Sequence, residues 1–369
     1  MILVGKIGDS RKLYFQISHE SIITTLGSNW QKSGATVMDE GRLKTAVVGM
    51  GKMGLLHSCV LRVLPDVDLV AVCEKSFFVR RLLKRLLGQT LVVDDLNKLS
   101  DLNLDAVYVT TPIPSHFVVT KTLFENNIAH SMFVEKTLAS NYAQSQKLCE
   151  LADAIQGTNM VGYLRRYYVT FKKAKDLLSQ KAVGEVRSFK AYAYSSDFLG
   201  IKQTTAPASR GGVLRDLGCH AVDLALWYFG EMHVNTAEMK SIVADDSEDI
   251  VNFRVENGHG LEGEFDFSWC EQNYRMPEVG LRIVGSKGSI EVNDDKVRLE
   301  TARNGSSQWY RHDLNDNVAF WLGLPEYYRE DSIFVKMVRE HKPGEPSFQA
   351  ASEVDEILDD VEKRAEKNE

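Results

Sequence analysis

Apolar residues in the first half of the chain fall into short runs separated by stretches of helical spacing. Thr45-Ala46-Val47-Val48, Leu69-Val70-Ala71-Val72-Cys73, Asp105-Ala106-Val107-Tyr108-Val109 and Ser131-Met132-Phe133-Val134 are the clearest. Runs apolar on both faces, alternating with helices, predict βαβ units around a parallel sheet. Between the second and third runs Phe78, Leu82 and Leu86 recur every four residues, which predicts a helix carrying them on one face. After about residue 185 the rhythm changes to period two. Leu261-Glu262-Gly263-Glu264-Phe265-Asp266-Phe267-Ser268-Trp269 alternates apolar with polar, so one face of that strand is buried. Turn formers at Glu256–Gly260 make 252–269 a hairpin, and Gly285-Ser286-Lys287-Gly288 reads as another turn. This half is therefore an open antiparallel or mixed sheet. Val354, Ile357, Leu358 and Val361 return the tail to helix. Residues 1–43 are weakly patterned. Within them, Lys12–Ile17 has the look of a short strand, and the segment carries no functional reading.

At 369 residues the chain suits two or three domains, and its 44% hydrophobic and 26% charged content is that of a folded protein. No apolar stretch approaches the roughly 18 residues a spanning helix needs. Lys6 and Asp9 fall too early for a secretory core, so the expected compartment is the cytoplasm. A net charge of −7 argues against coating nucleic acid. Expected partners are thus a small molecule and further copies of the chain through the open sheet, with no nucleic acid and no membrane. Five scattered cysteines without a C-x-x-C pair fit neither a disulfide framework nor a zinc site, and the histidine spacing suggests no metal.

Gly49-Met50-Gly51-Lys52-Met53-Gly54 follows the first buried run and opens a helical stretch, and Glu74 ends the next run. That context predicts a dinucleotide site. Gly49 allows the tight turn, Gly51 lets the backbone approach a pyrophosphate, and Gly54 lets helix and strand pack. Helix-start amides at Lys52 and Met53 then face the phosphates. Glu74 would accept from the adenosine ribose and repel a 2′-phosphate, which favours NAD over NADP. Lys75 and Ser76 soften that preference, and Arg80, Arg81, Lys84 and Arg85 read as the solvated face of a helix.

Three further stretches complete a pattern: Thr110-Thr111-Pro112-Ile113-Pro114-Ser115-His116, Glu135-Lys136-Thr137, and Gly211–Asp223 with Asp216 and His220. With the glycine turn, their order resembles the glucose–fructose oxidoreductase, inositol dehydrogenase and MocA family from about Leu43 to the C-terminus. The resemblance implies an N-terminal Rossmann domain (44–161) and a C-terminal α+β domain with an open, mostly antiparallel sheet (162–369), whose last helix packs back on the first domain. It implies NAD or NADP, and a sugar, polyol or nucleotide sugar as substrate. Lys136 would be the family's E-K-P lysine, and Glu135 before it would bind the cofactor. Asp216 and His220 would be its D-x-x-x-H pair, and Thr111, Pro112 and His116 its loop near the nicotinamide. Two departures stand out: Thr137 replaces the proline after the lysine, loosening the loop that aims it, and Ile113 removes a polar contact to the cofactor.

The residues can also be weighed without the resemblance. Asp216, His220 and Asp223 are spaced i, i+4, i+7, which on a helix brings three polar groups to one face. Histidine suits a general base, with Asp223 holding its tautomer, whereas a surface Asp–His pair would contribute only a few tenths of a kcal/mol. Lys136 at a strand end sits where a doubly wound sheet places its ligand, able to stabilise alkoxide character, or else it is a solvated edge lysine. Tyr163 and Arg165, in Tyr163-Leu164-Arg165-Arg166-Tyr167, suit a sugar ring or phosphate, or an ordinary helix entrance. His57, His130, His233, His259, His312 and His341 read as structural or exposed, and Trp227, Trp269, Trp309 and Trp321 as core. The reading is a dehydrogenase or reductase acting on CH–OH carbons, with Lys136, Asp216 and His220 catalytic. Its rivals are a non-catalytic dinucleotide-binding regulator and a cofactor-recycling lyase or glycosidase.

Overall fold

The computed structural model describes residues 41–196, 211–243, 247–303, 305–316 and 325–367. The strand expected at Lys12–Ile17 and Trp321 lie outside them.

Each apolar run becomes a strand. The first domain runs β1 (Leu43–Val48), α1 (Lys52–Val63), β2 (Val67–Cys73), α2 (Phe77–Leu86), β3 (Leu91–Val93), β4 (Ala106–Val109), α3 (Ile113–Glu125), β5 (Ser131–Glu135), α4 (Tyr142–Ile155) and β6 (Asn159–Gly162). The strands are all parallel in the order β3-β2-β1-β4-β5-β6. The order reverses between β1 and β4, and a doubly wound sheet opens its ligand crevice at that point. Val47, Val107, Phe133 and Val134 are wholly buried, as strands covered on both faces must be.

α2 differs from its pattern. Phe78, Leu82 and Leu86 share a face, but that face is exposed. Val79, Leu83 and Leu87 form the stripe that packs on the sheet. Spacing shows that a helix is amphipathic, not which side the fold covers.

The second half contains α5 (Val169–Ser179), β7 (Val186–Tyr194), a π-helical turn at Leu214–Gly218, α6 (Cys219–Phe229), and strands β8 (His233–Lys240), β9 (Ile250–Glu256), β10 (Glu262–Ser268), β11 (Glu278–Gly285), β12 (Gly288–Asn293), β13 (Lys296–Thr301) and β14 (Gly305–Tyr310). They form one sheet, β14-β13-β12-β11-β7-β10-β9-β8, antiparallel except where β7 meets β10. The two expected hairpins are β9–β10 and β11–β12. Phe189, Phe265, Phe267 and Ile283 point inward. The open face is polar rather than apolar. It carries Lys190 paired with Glu264 at 3.4 Å, Arg282 with Glu291 at 3.5 Å, and Tyr192 donating to Glu278 at 2.7 Å. An apolar sheet face in need of cover is therefore not the reason for any self-association.

Two last helices join the halves. In α7 (Pro325–Glu340), Phe334, Val335 and Val338 pack with Leu61 and Phe133 of the first domain. In α8 (Phe348–Glu366), Val354, Leu358 and Val361 are buried, each contributing about 1.5–3 kcal/mol. Asp355 and Asp359 of α8 accept from the backbone of Ala139 and Tyr142 at the start of α4.

Candidate active site

The glycine turn is built as its residues require. Gly49 has φ +91°, and a Cβ there would lie 2.6 Å from Thr111. A Cβ on Gly54 would meet the Gly49 carbonyl oxygen at 2.0 Å, so only glycine lets α1 approach β1. A Cβ on Gly51 would meet no protein atom within 4 Å, which fits a backbone that a ligand approaches. Gly51 caps α1, leaving first-turn amides at Lys52 and Met53 for phosphate oxygens. Glu74, half-buried, accepts from Met50 N at 2.8 Å and Ser76 N at 2.7 Å. It thus fixes the glycine turn and retains lone pairs for ribose hydroxyls.

A cleft of about 550 Å³ runs along the ends of β1 to β4, lined by Gly49, Glu74, Asp94, Asp95, Thr111 and Pro112. Its three carboxylates oppose a 2′-phosphate, and Arg80 is engaged, donating to the carbonyls of Glu74 and Lys75 at 2.8 and 2.6 Å and lying 3.5 Å from Asp94. The buried Thr111 Oγ1 has no hydrogen-bond partner, an orphan that a ligand in this cleft would satisfy. The cradle fits NAD.

His116 does not present a nitrogen to this cleft. Its Nε2 lies 2.6 Å from Thr111 O and its Nδ1 2.7 Å from Thr137 O, so the ring staples the cofactor loop to the lysine loop. Burial pushes its pKa down and the two carbonyls pull it partly back, leaving it below its ordinary value. The expected loosening at Thr137 does not occur. The residue is wholly buried, its Oγ1 donates to Ala139 O at 3.0 Å, and its own carbonyl takes the His116 contact. Ile113 is the first residue of α3, directly after the capping Pro112.

At the ends of β5 and β6 the second cluster forms. Lys136 Nζ donates to Asp216 O at 2.5 Å and lies 3.1 Å from Asp216 Oδ1. Burial lowers the lysine's pKa, but the Asp216 carboxylate outweighs it and the net shift is upward, so Lys136 stays an ammonium. His220 is 4% exposed and its Nδ1 has no partner. Burial first, then the cations Arg165 and Lys136, hold its pKa well below the usual histidine range. The ring is neutral at neutral pH. Tyr163 packs edge-on against it at 5.9 Å. Burial keeps the Tyr163 phenol protonated, and its hydroxyl is also without a partner.

Two expectations fail here. Asp223 does not orient His220. It is wholly buried and bound by Arg166 through Nε at 3.0 Å and Nη2 at 2.7 Å. The π-helical turn containing Asp216 also breaks the simple i, i+4 stacking with His220. Arg165 is adjacent but not free, since its guanidinium grips Asp294 at 3.0 and 3.2 Å. It contributes field and scaffold rather than an open hand for substrate.

One residue read as structural or exposed proves central. His57, wholly buried one turn after Gly54, has Nε2 2.9 Å from Glu135 Oε1 and Nδ1 2.8 Å from Asp331 Oδ1. Burial alone would lower its pKa, but Asp331 and then Glu135 raise it well above the usual value. An imidazolium therefore clamps two carboxylates, and Glu135 Oε2 in turn accepts from Lys136 N at 3.2 Å. Glu135 is thus a support for the lysine, not a group presented to the cofactor. The adjacent Glu330 is pushed well up by burial and is a neutral acid.

These shifts fix a pH dependence. His57, Glu330 and Asp331 are raised, as are Asp355 and Glu248, each to about 7. The native state then binds more protons than the unfolded state, so stability falls as pH rises. Glu135, His116 and His220, shifted down, act oppositely, but the contribution of Glu135 is complete above about pH 5 and those of the two histidines above about pH 7. The thermal midpoint is expected to fall as pH rises above about 7, where the raised groups alone still titrate; a midpoint that climbs there in calorimetry contradicts these assignments.

Residues 43–163 match the model of the oxidoreductase family with NAD-binding Rossmann fold, and residues 171–291 match the GFO/IDH/MocA C-terminal domain. The chain belongs to the Gfo/Idh/MocA family. Its first domain is an NAD-binding fold, and the protein is an NAD-dependent oxidoreductase. It is 24% identical over 329 residues to myo-inositol 2-dehydrogenase of Thermotoga maritima, covering 82% of this chain and 90% of that one. It is 22% identical over 308 residues to D-apiose dehydrogenase of Rhizobium rhizogenes, covering 80% and 86%. Levoglucosan dehydrogenase, solved with NADH and levoglucosan, superposes with a TM-score of 0.79 at 20% identity over 89% of this chain and 98% of that one. The WlbA dehydrogenase of Bordetella pertussis, solved with NADH and UDP-GlcNAcA, gives 0.78 at 15% identity over 89% and 97%; at such identities the likeness shows the fold.

Proposed function

We propose that this enzyme moves a hydride between NAD and a secondary alcohol or ketone carbon of a sugar, polyol or nucleotide sugar. The supporting observation is Lys136, an ammonium at the carboxyl end of β5 held by Asp216 at 3.1 Å and near enough to the buried, neutral His220 of α6 to depress its pKa. When bound, NAD supplies the hydride acceptor or donor, held by the Gly49–Gly54 turn, Glu74 and Thr111. Lys136 Nζ donates to the reacting oxygen and stabilises its alkoxide character. The His220 imidazole takes the hydroxyl proton in oxidation and returns it in reduction. Asp216 fixes the ammonium by accepting from it at 3.1 Å, and Tyr163 fixes the ring. The sugar class is also supported by what the named relatives act on, and by the polar, aromatic character of this cluster.

A panel of sugars, polyols and nucleotide sugars, tested with NAD and NADP at the reduced-nicotinamide absorbance, decides the matter. A dehydrogenase gives absorbance with substrate. Product without absorbance supports a recycling lyase or glycosidase, and neither signal supports a regulator. On the nucleotide, Glu74→Ala should cost NAD about ten- to a hundredfold in affinity by calorimetry and cost NADP clearly less, since only the turn support is lost for both. Equal losses for both would remove the ribose role of Glu74. Homo-oligomerisation through the open face of the large sheet, with its Tyr192–Tyr194 stack, is part of the same proposal. So is a cytoplasmic location, which the five free cysteines suit.

A further inference from the structure

α2 carries four exposed large apolar side chains. Phe77, Phe78, Leu82 and Leu86 are 63%, 81%, 56% and 59% exposed, while Leu83 and Leu87 hold the opposite side on the sheet. Arg81, Lys84 and Arg85 lie exposed beside this stripe, and among the described residues none has an ion-pair partner. From Lys75 to Val93 there are five cations and no acid, in a chain whose net charge is −7. A groove of about 470 Å³ follows the basic side, lined by Phe77, Arg81, Lys84 and Arg85, with Lys98 paired to Asp94 at its far edge.

Charge selects the occupant. Isologous pairing with a second copy would set this cationic stripe against itself. A bilayer needs one side only: an apolar stripe for the acyl boundary and flanking cations for the headgroups. We propose that α2 docks the enzyme peripherally on an anionic bilayer, with Phe78, Leu82 and Leu86 entering the acyl boundary and Arg81, Lys84 and Arg85 among the headgroup phosphates. The expectation of no membrane partner came from the lack of a spanning stretch, which does not bear on surface docking.

The test is co-sedimentation of the full chain with vesicles of phosphatidylcholine alone, or containing about a third phosphatidylglycerol. Binding should be at least about tenfold stronger to the anionic vesicles and should weaken as salt rises. Each cation near an anionic leaflet strengthens binding roughly fivefold, so the triple variant R81E/K84E/R85E should lose about a hundredfold or more. F78S/L82S/L86S should lose at least about tenfold, with the thermal midpoint unchanged in both because all six side chains are exposed. Equal binding to both vesicle types, no binding to either, or wild-type binding by the charge-reversal variant overturns the proposal. So does loss of a solution dimer in F78S/L82S/L86S without any effect on vesicles, which would assign the stripe to a second copy.

Discussion

Replacing His220 with Ala is expected to lower turnover by about 10²–10⁴ while NAD affinity stays within about twofold. The size follows from the role. A positioned base contributes that much when a proton must leave as the hydride departs, and His220 touches none of the groups that cradle the dinucleotide. Because burial and the nearby cations hold its pKa well below the histidine norm, the wild-type enzyme should show kcat/KM for oxidation that is flat through neutral pH and falls only on the acid side of the ordinary histidine range. The variant should lose that acid limb. Wild-type turnover in His220→Ala, or a base titrating near pH 7 in the wild type, would take the proton-transfer role away from this ring. Rapid-mixing absorbance at the nicotinamide band, with cofactor affinity measured separately by calorimetry, supplies both readings.

The second large effect is on stability. Replacing His57 with Leu removes the cation between Glu135 and Asp331, leaving the buried Asp331 uncompensated and Glu135 with Lys136 alone. Breaking a buried pair in this way typically costs about 3–5 kcal/mol. Denaturant unfolding should register that loss. H57L/D331N should be less destabilised than H57L alone, since one orphan charge is then gone. The activity that survives in H57L should show a raised KM or lowered kcat, because Glu135 no longer anchors the Lys136 amide. A loss below about 1 kcal/mol would mean the clamp is not charged, and a double variant no better than the single would mean Asp331 is not its partner.

The site was legible in sequence where its residues are neighbours in the chain. Gly49, Gly51 and Gly54 announce a turn whose geometry admits few other residues, and Glu74 follows at the end of the next strand. The strands themselves were legible because burial on both faces leaves uninterrupted apolar runs. What could not be read were choices of partner. Nothing near Asp223 says that Arg166, 57 residues earlier, takes its carboxylate and leaves His220 without it. Nothing near His57 points to Asp331, 274 residues on. The π-helical turn at Leu214–Gly218 escaped because helical spacing assumes 3.6 residues per turn throughout. The exposed stripe of α2 escaped for a different reason: an apolar face reads the same whether the protein or another surface covers it.

A crystal structure of the enzyme with NAD and the polyol or sugar that the panel identifies would test the core of this account most directly. One hydroxyl oxygen should lie within hydrogen-bond distance of both Lys136 Nζ and a ring nitrogen of His220, with its carbon facing the nicotinamide C4. A substrate seated away from either side chain, or a hydroxyl whose proton is met by another residue, would contradict it.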